Sequence, residues 1–357
     1  MTTVHEVALL RLVAQRIAGP GFGTAADAVR WMGALQAQDA SGVLTSIALR
    51  TADRSRRAVE EAFDAATVVK SWPMRGTLHV VAAEDLPWML ELLAPRVVAG
   101  AAARSGALGL DEAAFEKARS LAVDALSGGR RLARDELLAV WDRKGLMTAG
   151  QRGYHVLARL AQTGTVCFGP VEDAKQLVVL VAEWIRQPRR LERDEALAQV
   201  AWRYFSSHGP ATVKDFVRWT KLVTADARAG LALARPRLER IEVDGMEHFM
   251  DPQTPGLLDA CRAEARSVFL LPGFDEFLLG YGDRTAVLPA PFAPRIVPGA
   301  NGVFRPTIVS DGEVVGTWQH VGRGDKRALA TDPFRPLSSI LVGAIETAYR
   351  KLPELRS

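Results

Sequence analysis

The sequence predicts an α+β, mainly helical fold with three tandem winged helix-turn-helix units and a small C-terminal β-barrel-like domain. Two observations predict this fold. Groups of amphipathic segments are repeatedly followed by a pair of extended segments, and after residue 255 the chain changes to short alternating strands. Helices closed by a β-hairpin are typical of winged-helix units. The 357 residues allow several domains, at roughly 100 to 200 residues each.

The first predicted unit covers residues 1–105. Apolar residues between Val4 and Ile17 fall on a helical stripe, and a second helix follows the N-cap candidate Thr24. "GVLTSIALRT" and "SRRAVEEAFDAA" add two further apolar segments. "TVVKSWPMRGTLHVVA" then becomes β-branched and is interrupted by Pro73 and Gly76, which predicts two strands and a turn.

The same order of elements recurs twice, with slight sequence identity between the blocks. The second unit, residues 106–188, has three helical segments before the extended "TVCFGPVEDAKQLVVLV". The third unit, residues 189–254, has three helical segments before "LERIEVDGMEHFM", in which Asp244-Gly245 predicts a hairpin turn. A repeat of element order indicates tandem copies of one unit.

The fourth predicted module covers residues 255–357. "SVFLLPGFDEFLLGYGDRTAVL" and "VFRPTIVSDGEVVGTWQHV" have the pattern of short strands separated by Gly, Pro and Asp-Gly turns. Strands at this spacing predict a small barrel or sandwich. A terminal helix is expected around "PLSSILVGAIETAYRKL".

The composition is that of an ordinary soluble protein, with 48% apolar and 24% charged residues. No apolar run approaches the roughly 20 residues of a membrane span, so we expect a cytoplasmic protein without a membrane partner. Cys167 and Cys261 lack metal-ligand spacing and are expected to be reduced thiols, with no metal and no cofactor. No heptad pattern appears, which favours a monomer.

A mild positive charge permits binding to a polyanion without requiring it. The net charge is +4, and arginines cluster in "GGRRLARDELLAVWDRKG" and "AEWIRQPRRLER". Clusters of this size are solvated helix faces about as often as phosphate contacts. Because the third helix of a helix-turn-helix unit usually enters a groove, the second unit offers Gln151, Arg152, His155 and Arg159. In the third unit the basic residues Lys214, Arg218 and Lys221 share one helix face.

Two alternatives stay open at this stage. Winged-helix units also serve as protein-interaction modules, although helix-turn-helix geometry together with arginine clusters favours DNA. His79, on a predicted wing strand, is either a structural histidine or a contact to a phosphate or sugar.

Most enzyme classes lack their signature in this chain. No Walker loop, nucleophile elbow, zinc-protease motif or dinucleotide fingerprint is present. Asp275 and Glu276 are adjacent, and adjacent residues of a strand point to opposite faces, so they make a poor carboxylate pair.

Gln36 and Gln38 in "LQAQD" are the remaining candidates for chemistry. In an extended segment they would project to one side, about 6.5 to 7 Å apart, with Ala37 pointing away, and both amides could bind one water. In a helix they would diverge. The spacing alone favours a polar pair at a turn over a catalytic pair.

Seven blocks, in order along nearly the whole chain, resemble the AlkZ/YcaQ family of winged-helix DNA glycosylases, which includes the azinomycin-resistance type. The blocks are "GALQAQD", "SWPMRGTLHVV", "GRRLARDEL", "LARLAQTGTVCFGP", "FSSHGPATVKDFVRWT", "LLPGFDEFLLGYGDR" and "NGVFRPTIVSDGEVVGTW". The resemblance implies three tandem winged helices and a β-barrel-like domain around a C-shaped cleft. It also implies that Gln36 and Gln38 are catalytic, with Ala37 as the apolar spacer. The second glutamine resembles the AlkZ branch, because the YcaQ branch has aspartate there.

The function that this resemblance implies is hydrolysis of the N-glycosidic bond of N7-alkylguanine in double-stranded DNA, including bulky natural-product adducts and interstrand crosslinks. An N7-alkylated guanine is already cationic and leaves without a general acid. The glutamine pair would hold a water beside C1′, and Asp39 is a candidate for electrostatic support. No lysine lies beside the motif, so no strand cleavage is expected.

Expected DNA contacts, in this interpretation, are Arg75, His79, Arg131, Arg152, His155, Arg159, Lys214 and Arg218. The alternative is a non-catalytic regulator or drug-sequestering protein built on the same units. Such a protein would bind undamaged DNA without releasing a base. A general repair role and antibiotic self-resistance are both compatible with the sequence.

Overall fold

A computed structural model describes residues 3–172, 175–322 and 327–353. Roughly half of these residues are helical, so the α+β, mainly helical class is confirmed. The α-helices in chain order are α1 (Val4–Ala14), α2 (Ala25–Met32), α3 (Ala40–Ala48), α4 (Arg56–Asp64), α5 (Leu86–Ala107), α6 (Glu112–Leu126), α7 (Arg134–Arg143), α8 (Arg152–Gln162), α9 (Val181–Trp184), α10 (Arg193–His208), α11 (Val213–Thr220), α12 (Thr224–Ala234), α13 (Thr254–Ala265), α14 (Glu276–Leu279), α15 (Ala293–Ile296) and α16 (Ser339–Arg350).

The strands form antiparallel hairpins, two of which pair with each other, and a four-stranded antiparallel sheet towards the C-terminus. In chain order they are β1 (Leu35–Gln36), β2 (Val68–Met74), β3 (Thr77–Ala82), β4 (Val166–Glu172), β5 (Lys175–Leu180), β6 (Glu239–Val243), β7 (Met246–Met250), β8 (Val268–Leu271), β9 (Thr307–Ser310), β10 (Glu313–Val321) and β11 (Ala328–Pro333).

The chain divides into two compact units. The first consists of the described parts of Met1–Val59 and Leu197–Ser357, and the second of Glu60–Ala196. Each of the three predicted blocks does contain helices followed by an antiparallel hairpin, namely β2–β3, β4–β5 and β6–β7. The count of three winged helices and the boundaries at residues 105, 188 and 254 stay predictions.

Two of the predicted hairpin turns are confirmed by their backbone geometry. Asp244 and Gly245 between β6 and β7 have φ values of 49° and 73°, as a two-residue hairpin turn requires. Arg75 and Gly76 between β2 and β3 have φ values of 58° and 70°. The turn between β4 and β5 lies at residues 173–174, outside the described residues.

In the second unit, strands β2 to β5 are neighbours in the order β3-β2-β4-β5, and all pairs are antiparallel. The β2–β3 register shifts between Ser71 and Met74. This irregularity accommodates Pro73, which has no N–H to donate to a regular ladder. Helices α6, α7 and α8 bury Phe115, Trp141 and Leu157 in the core of this unit.

Helix α5 corrects an expectation from the sequence. Among the described residues the stretch Ala83–Ala107 is long and apolar enough to cross a membrane, by length and composition only. Core helices of soluble proteins meet the same criterion, and α5 buries Trp88, Met89 and Leu93 while packing on β2 and α8.

The C-terminal sheet of the first unit is open, so the predicted β-barrel-like domain is wrong in this respect. Its antiparallel strands have the order β11-β10-β9-β8. Side chains alternate between two cores: Phe269 and Val309 pack in the cluster that contains α1 residues, whereas Leu270 and Ile308 pack with residues of α16. Because helices cover both faces of this sheet, its apolar residues are buried without closure.

The "GFDEF" segment also differs from its prediction. The sequence predicts a strand here, but β8 ends at Leu271 and Asp275 is the N-cap of the short helix α14, accepting from the Phe277 N–H. Asp275 forms a buried bidentate ion pair with Arg50, with N···O distances of 2.9 and 3.0 Å. Ser46 Oγ donates to the same carboxylate at 2.6 Å. This ion pair joins the chain after α3 to the start of α14.

We expect Asp275→Asn to lower the free energy of unfolding by about 3–5 kcal/mol, because Arg50 would be left as an uncompensated buried charge. Chemical denaturation of the purified protein measures this change. The matched control is Glu247→Gln, which breaks the exposed pair with Arg240 and should change stability little. Equal stability losses in the two variants would contradict a dominant role for the buried pair.

Candidate active site

The "LQAQD" motif lies in the short connection between helices α2 and α3. Gly33 ends α2 with a φ of 77°, which favours glycine. Leu35 and Gln36 are extended in β1, and Asp39 is the N-cap of α3. Of the two cases considered from the sequence, extended or helical, the motif is not helical: Gln36 is in a strand, and Gln38 lies in the bend before α3.

The three central residues of the motif differ in exposure. Ala37 is buried, with 2% of its surface exposed, as the apolar spacer was expected to be. Gln36 is 9% exposed, whereas Gln38 is exposed. The first glutamine is therefore fixed by its surroundings, and the second is the more accessible to a large substrate.

Asp39 has a defined structural role at the start of α3. Its Oδ1 accepts hydrogen bonds from the backbone N–H groups of Ser41 and Gly42 at 3.1 and 3.0 Å. A Cβ at Gly42 would approach the other carboxylate oxygen to 2.7 Å. The carboxylate is thus committed to capping the helix that follows the motif.

Sequence reasoning missed Glu276, whose carboxylate lies behind the motif. Glu276 is 1% exposed, and its Oε1 accepts from the Gln36 backbone N–H at 3.3 Å. Its Oε2 accepts from Trp219 Nε1 at 3.0 Å and lies 3.4 Å from His208 Nε2. The sequence signal for this residue is the acidic pair at positions 275 and 276, but the contact itself depends on the helix that begins at Glu276.

Buried aromatic residues surround this carboxylate. The His208 ring stacks on Tyr204 at 4.8 Å, and Tyr281 Oη donates to the His208 carbonyl at 2.8 Å. Burial, followed by the charge of Asp215, raises the pKa of Tyr204 well above its usual value. Burial likewise raises the pKa of Tyr281. Both phenols therefore stay protonated and act as hydrogen-bond donors.

The candidate DNA contacts of the second unit are mostly engaged within the protein. Arg131 pairs with Glu172 at 2.8 Å, and Arg159 pairs with Glu112 at 2.9 Å. Arg152 donates to the carbonyls of Met147 and Leu108.

The two histidines proposed to contact DNA are poor counter-charges. His79 is completely buried, with Nδ1 bound to the Thr77 carbonyl and Nε2 to Arg75, which favours the structural role left open by the sequence. Burial, and then the charge of Arg104, lowers the pKa of His155, so its ring is neutral at pH 7.

Lys214 and Arg218, in contrast, are exposed on one face of α11 and line a cleft of about 450 Å³ within the first unit. Arg11 lines the same cleft, although only 3% of its surface is exposed. Its Nε donates to the Pro210 carbonyl, and within the described residues its Nη1 has no hydrogen-bond partner. Asp215 also lines the cleft, but one of its oxygens accepts from the N–H and O–H of the N-cap residue Thr212, and the other accepts from the Gly282 N–H.

Helix-and-hairpin modules and a cleft lined by exposed basic side chains are typical of proteins that bind nucleic acids. Comparison with known proteins identifies the family. Residues 29–354 match the family model of AlkZ-like DNA glycosylases. The chain therefore belongs to the AlkZ-like DNA glycosylase family and is a hydrolase of N-glycosyl bonds, which confirms the resemblance of the seven sequence blocks.

The sequence comparison and the structure comparison both find a similar protein from Streptomyces sahachiroi. An interstrand DNA cross-link repair glycosylase is 30% identical over 336 residues, which cover 90% of this chain and 88% of that protein. The structure of the DNA glycosylase AlkZ matches with a TM-score of 0.82 at 26% identity, covering 99% of this chain and 96% of the other. The alternative of a non-catalytic regulator is set aside.

The role of Asp39 can be tested with two substitutions. Asp39→Ala should lower the free energy of unfolding by about 1 kcal/mol through loss of the N-cap, whereas Asp39→Asn should retain the cap. If Asp39 acts only as a cap, the Asn variant should also release base at the wild-type rate. A stable Asn variant with a much lower rate would instead assign the negative charge a role in catalysis. Thermal unfolding and base-release assays measure the two effects.

Proposed function

We propose that this DNA glycosylase hydrolyses the N-glycosidic bond of N7-alkylguanine in double-stranded DNA and leaves an abasic site with the strand uncut. The observation that carries the proposal is the Gln36–Gln38 pair in the connection between α2 and α3, with Gln36 in strand β1 and buried Ala37 between the two glutamines in the sequence. Amides neither take up nor release a proton near neutral pH. Such a pair is suited to a base that leaves without protonation.

In the proposed reaction the two amides orient a water beside C1′ of the damaged nucleotide. The C1′–N9 bond breaks and its electron pair passes to the base, which neutralises the positive charge of N7-alkylguanine. The water oxygen bonds to C1′, and its extra proton is lost to solvent. The amides contribute positioning and stabilise the developing cation on the sugar through their oxygen atoms.

Bulky natural-product adducts and interstrand crosslinks are included in the proposed substrates. The exposure of Gln38 supports this, because an accessible amide admits a large lesion more readily than a closed pocket does. The printed name of the S. sahachiroi relative, an interstrand cross-link repair glycosylase, points in the same direction. We place the enzyme in the cytoplasm, acting as a monomer in repair or self-resistance.

Lys214 and Arg218 are the proposed contacts to DNA phosphates. Both are exposed, and they lie one helical turn apart on α11 beside the Arg11 guanidinium. Arg131, Arg152 and Arg159 already satisfy carboxylates or carbonyls of the protein. Phosphate contacts position the duplex without reading its sequence.

The catalytic assignment predicts that Gln36→Ala and Gln38→Ala each reduce base release by on the order of 10²-fold, because each removes a group that orients water and stabilises charge. The assay is single-turnover release of N7-methylguanine from a duplex, followed by detection of abasic sites. Gln319→Ala on strand β10 is the control glutamine variant. Base release at the wild-type rate by both motif variants would exclude this mechanism.

The phosphate assignment predicts a change in the salt dependence of DNA binding. Lys214→Gln and Arg218→Gln should each weaken binding and reduce the slope of log K against log salt by about 1. Arg131→Gln is the control, because that guanidinium already pairs with Glu172. Fluorescence anisotropy over a range of salt concentrations measures the slopes. Unchanged slopes for both α11 variants would remove them from the DNA interface.

A further inference from the structure

We propose that Glu276 is a positioning residue of the active site, holding Gln36 where its amide can orient the attacking water. The inference rests on the proposed function of the glutamine pair. Its basis is the 3.3 Å hydrogen bond from the Gln36 backbone N–H to Glu276 Oε1. This contact joins residues that are 240 positions apart in the sequence.

The carboxylate fits this position because only donors surround it in the contacts described above. Oε1 faces the Gln36 N–H, and Oε2 faces the Trp219 indole N–H and the His208 ring. An ionised carboxylate accepts at both oxygens, whereas an amide presents one acceptor and one donor. Glutamine could therefore satisfy Gln36 or Trp219, but not both.

The proton on His208 can be assigned from its neighbours. Ser207 Oγ donates to the Arg203 carbonyl at 2.7 Å, so it accepts from His208 Nδ1–H at 2.8 Å. The other ring nitrogen faces Glu276 Oε2 at 3.4 Å, and two facing lone pairs would repel, so a proton lies between them. A proton in this position balances the charge of the carboxylate. Its effect on Gln36 comes from position more than from a long-range field.

The residues around Glu276 restrict its movement. Glu276 begins α14, Trp219 lies on α11 and His208 ends α10. Gly280 allows the close approach of the histidine ring, because a Cβ there would lie 2.4 Å from His208 Cδ2. Three helices therefore meet at the carboxylate that anchors the motif backbone.

The test compares Glu276→Gln with the wild-type protein on a duplex that carries one N7-methylguanine. We expect the single-turnover rate to fall by about 10-fold to 100-fold, because small misplacement of a catalytic group is costly. The DNA dissociation constant, measured separately by anisotropy, should stay unchanged. A purely structural loss would lower the folded fraction, and rates are therefore normalised to folded protein by circular dichroism.

A second substitution provides the rescue that a structural role would not give. In Glu276→Gln/Trp219→Phe the indole donor is absent, so the amide oxygen can accept from Gln36 while its NH₂ faces His208. The double variant should be faster than Glu276→Gln alone. Trp219→Phe alone keeps the Gln36–Glu276 bond and should lose less rate than Glu276→Gln.

Asp85→Asn is the matched control. Asp85 is a buried carboxylate of the second unit that accepts from the Trp88 indole at 2.7 Å. This variant should keep the wild-type rate per folded molecule.

Glu276→Asp tests the position of the carboxylate without removing its charge. It also provides the test if Glu276→Gln does not fold. It keeps the carboxylate but withdraws it by one methylene from the Gln36 N–H, so the rate should again fall. Wild-type rates in folded Glu276→Gln or Glu276→Asp, or a double variant no faster than Glu276→Gln, would overturn the inference. The proposed function fails separately, whatever the Glu276 variants do, if neither the wild-type protein nor Gln38→Ala releases base from the duplex.

Discussion

The buried ion pair between Arg50 and Asp275 is the interaction on which the first unit depends. Arg50 is fully buried, and its guanidinium also donates to Gln15 Oε1 at 2.6 Å. Through these contacts the end of α1, the end of α3 and the start of α14 share one polar centre inside an apolar core. A buried charge of this kind is tolerated only when its partner is present and well placed. The pair therefore fixes where α14 begins.

The position of α14 in turn determines what Glu276 can reach. Asp275 caps the helix and points to Arg50, whereas Glu276, as the first helical residue, points to Gln36, Trp219 and His208. Two adjacent acids consequently have separate tasks: one stabilises the core, and the other contacts the backbone of the motif. On a strand they would also point apart, but here the separation has a different cause, because Asp275 is the N-cap and Glu276 the first residue of a helix.

Features that depend on neighbouring residues were predictable from the sequence. Asp244-Gly245 and Arg75-Gly76 are hairpin turns because their local chemistry permits positive φ, and Leu35–Gln36 at the start of "LQAQD" is extended. Features that depend on distant partners were not predictable. Arg50 and Asp275 are 225 residues apart, and no local pattern reports their contact. Strand alternation likewise does not show that α1 and α16 cover the two faces of the open sheet. The strand pattern alone therefore predicted a barrel.

The surroundings of the motif are consistent with a substrate whose damaged base is already positively charged. The tyrosines behind it keep their protons because burial raises their pKa values, and the proton between His208 and Glu276 is enclosed by groups that are almost fully buried. These groups are buried, whereas Gln38 is exposed. A neutral base would need such a proton to leave, whereas a cationic N7-alkylguanine already has the required charge. In the proposed function the exposed cations on α11 contact the DNA backbone without taking part in the chemistry, and we expect the charge of the leaving base to determine which lesions are released.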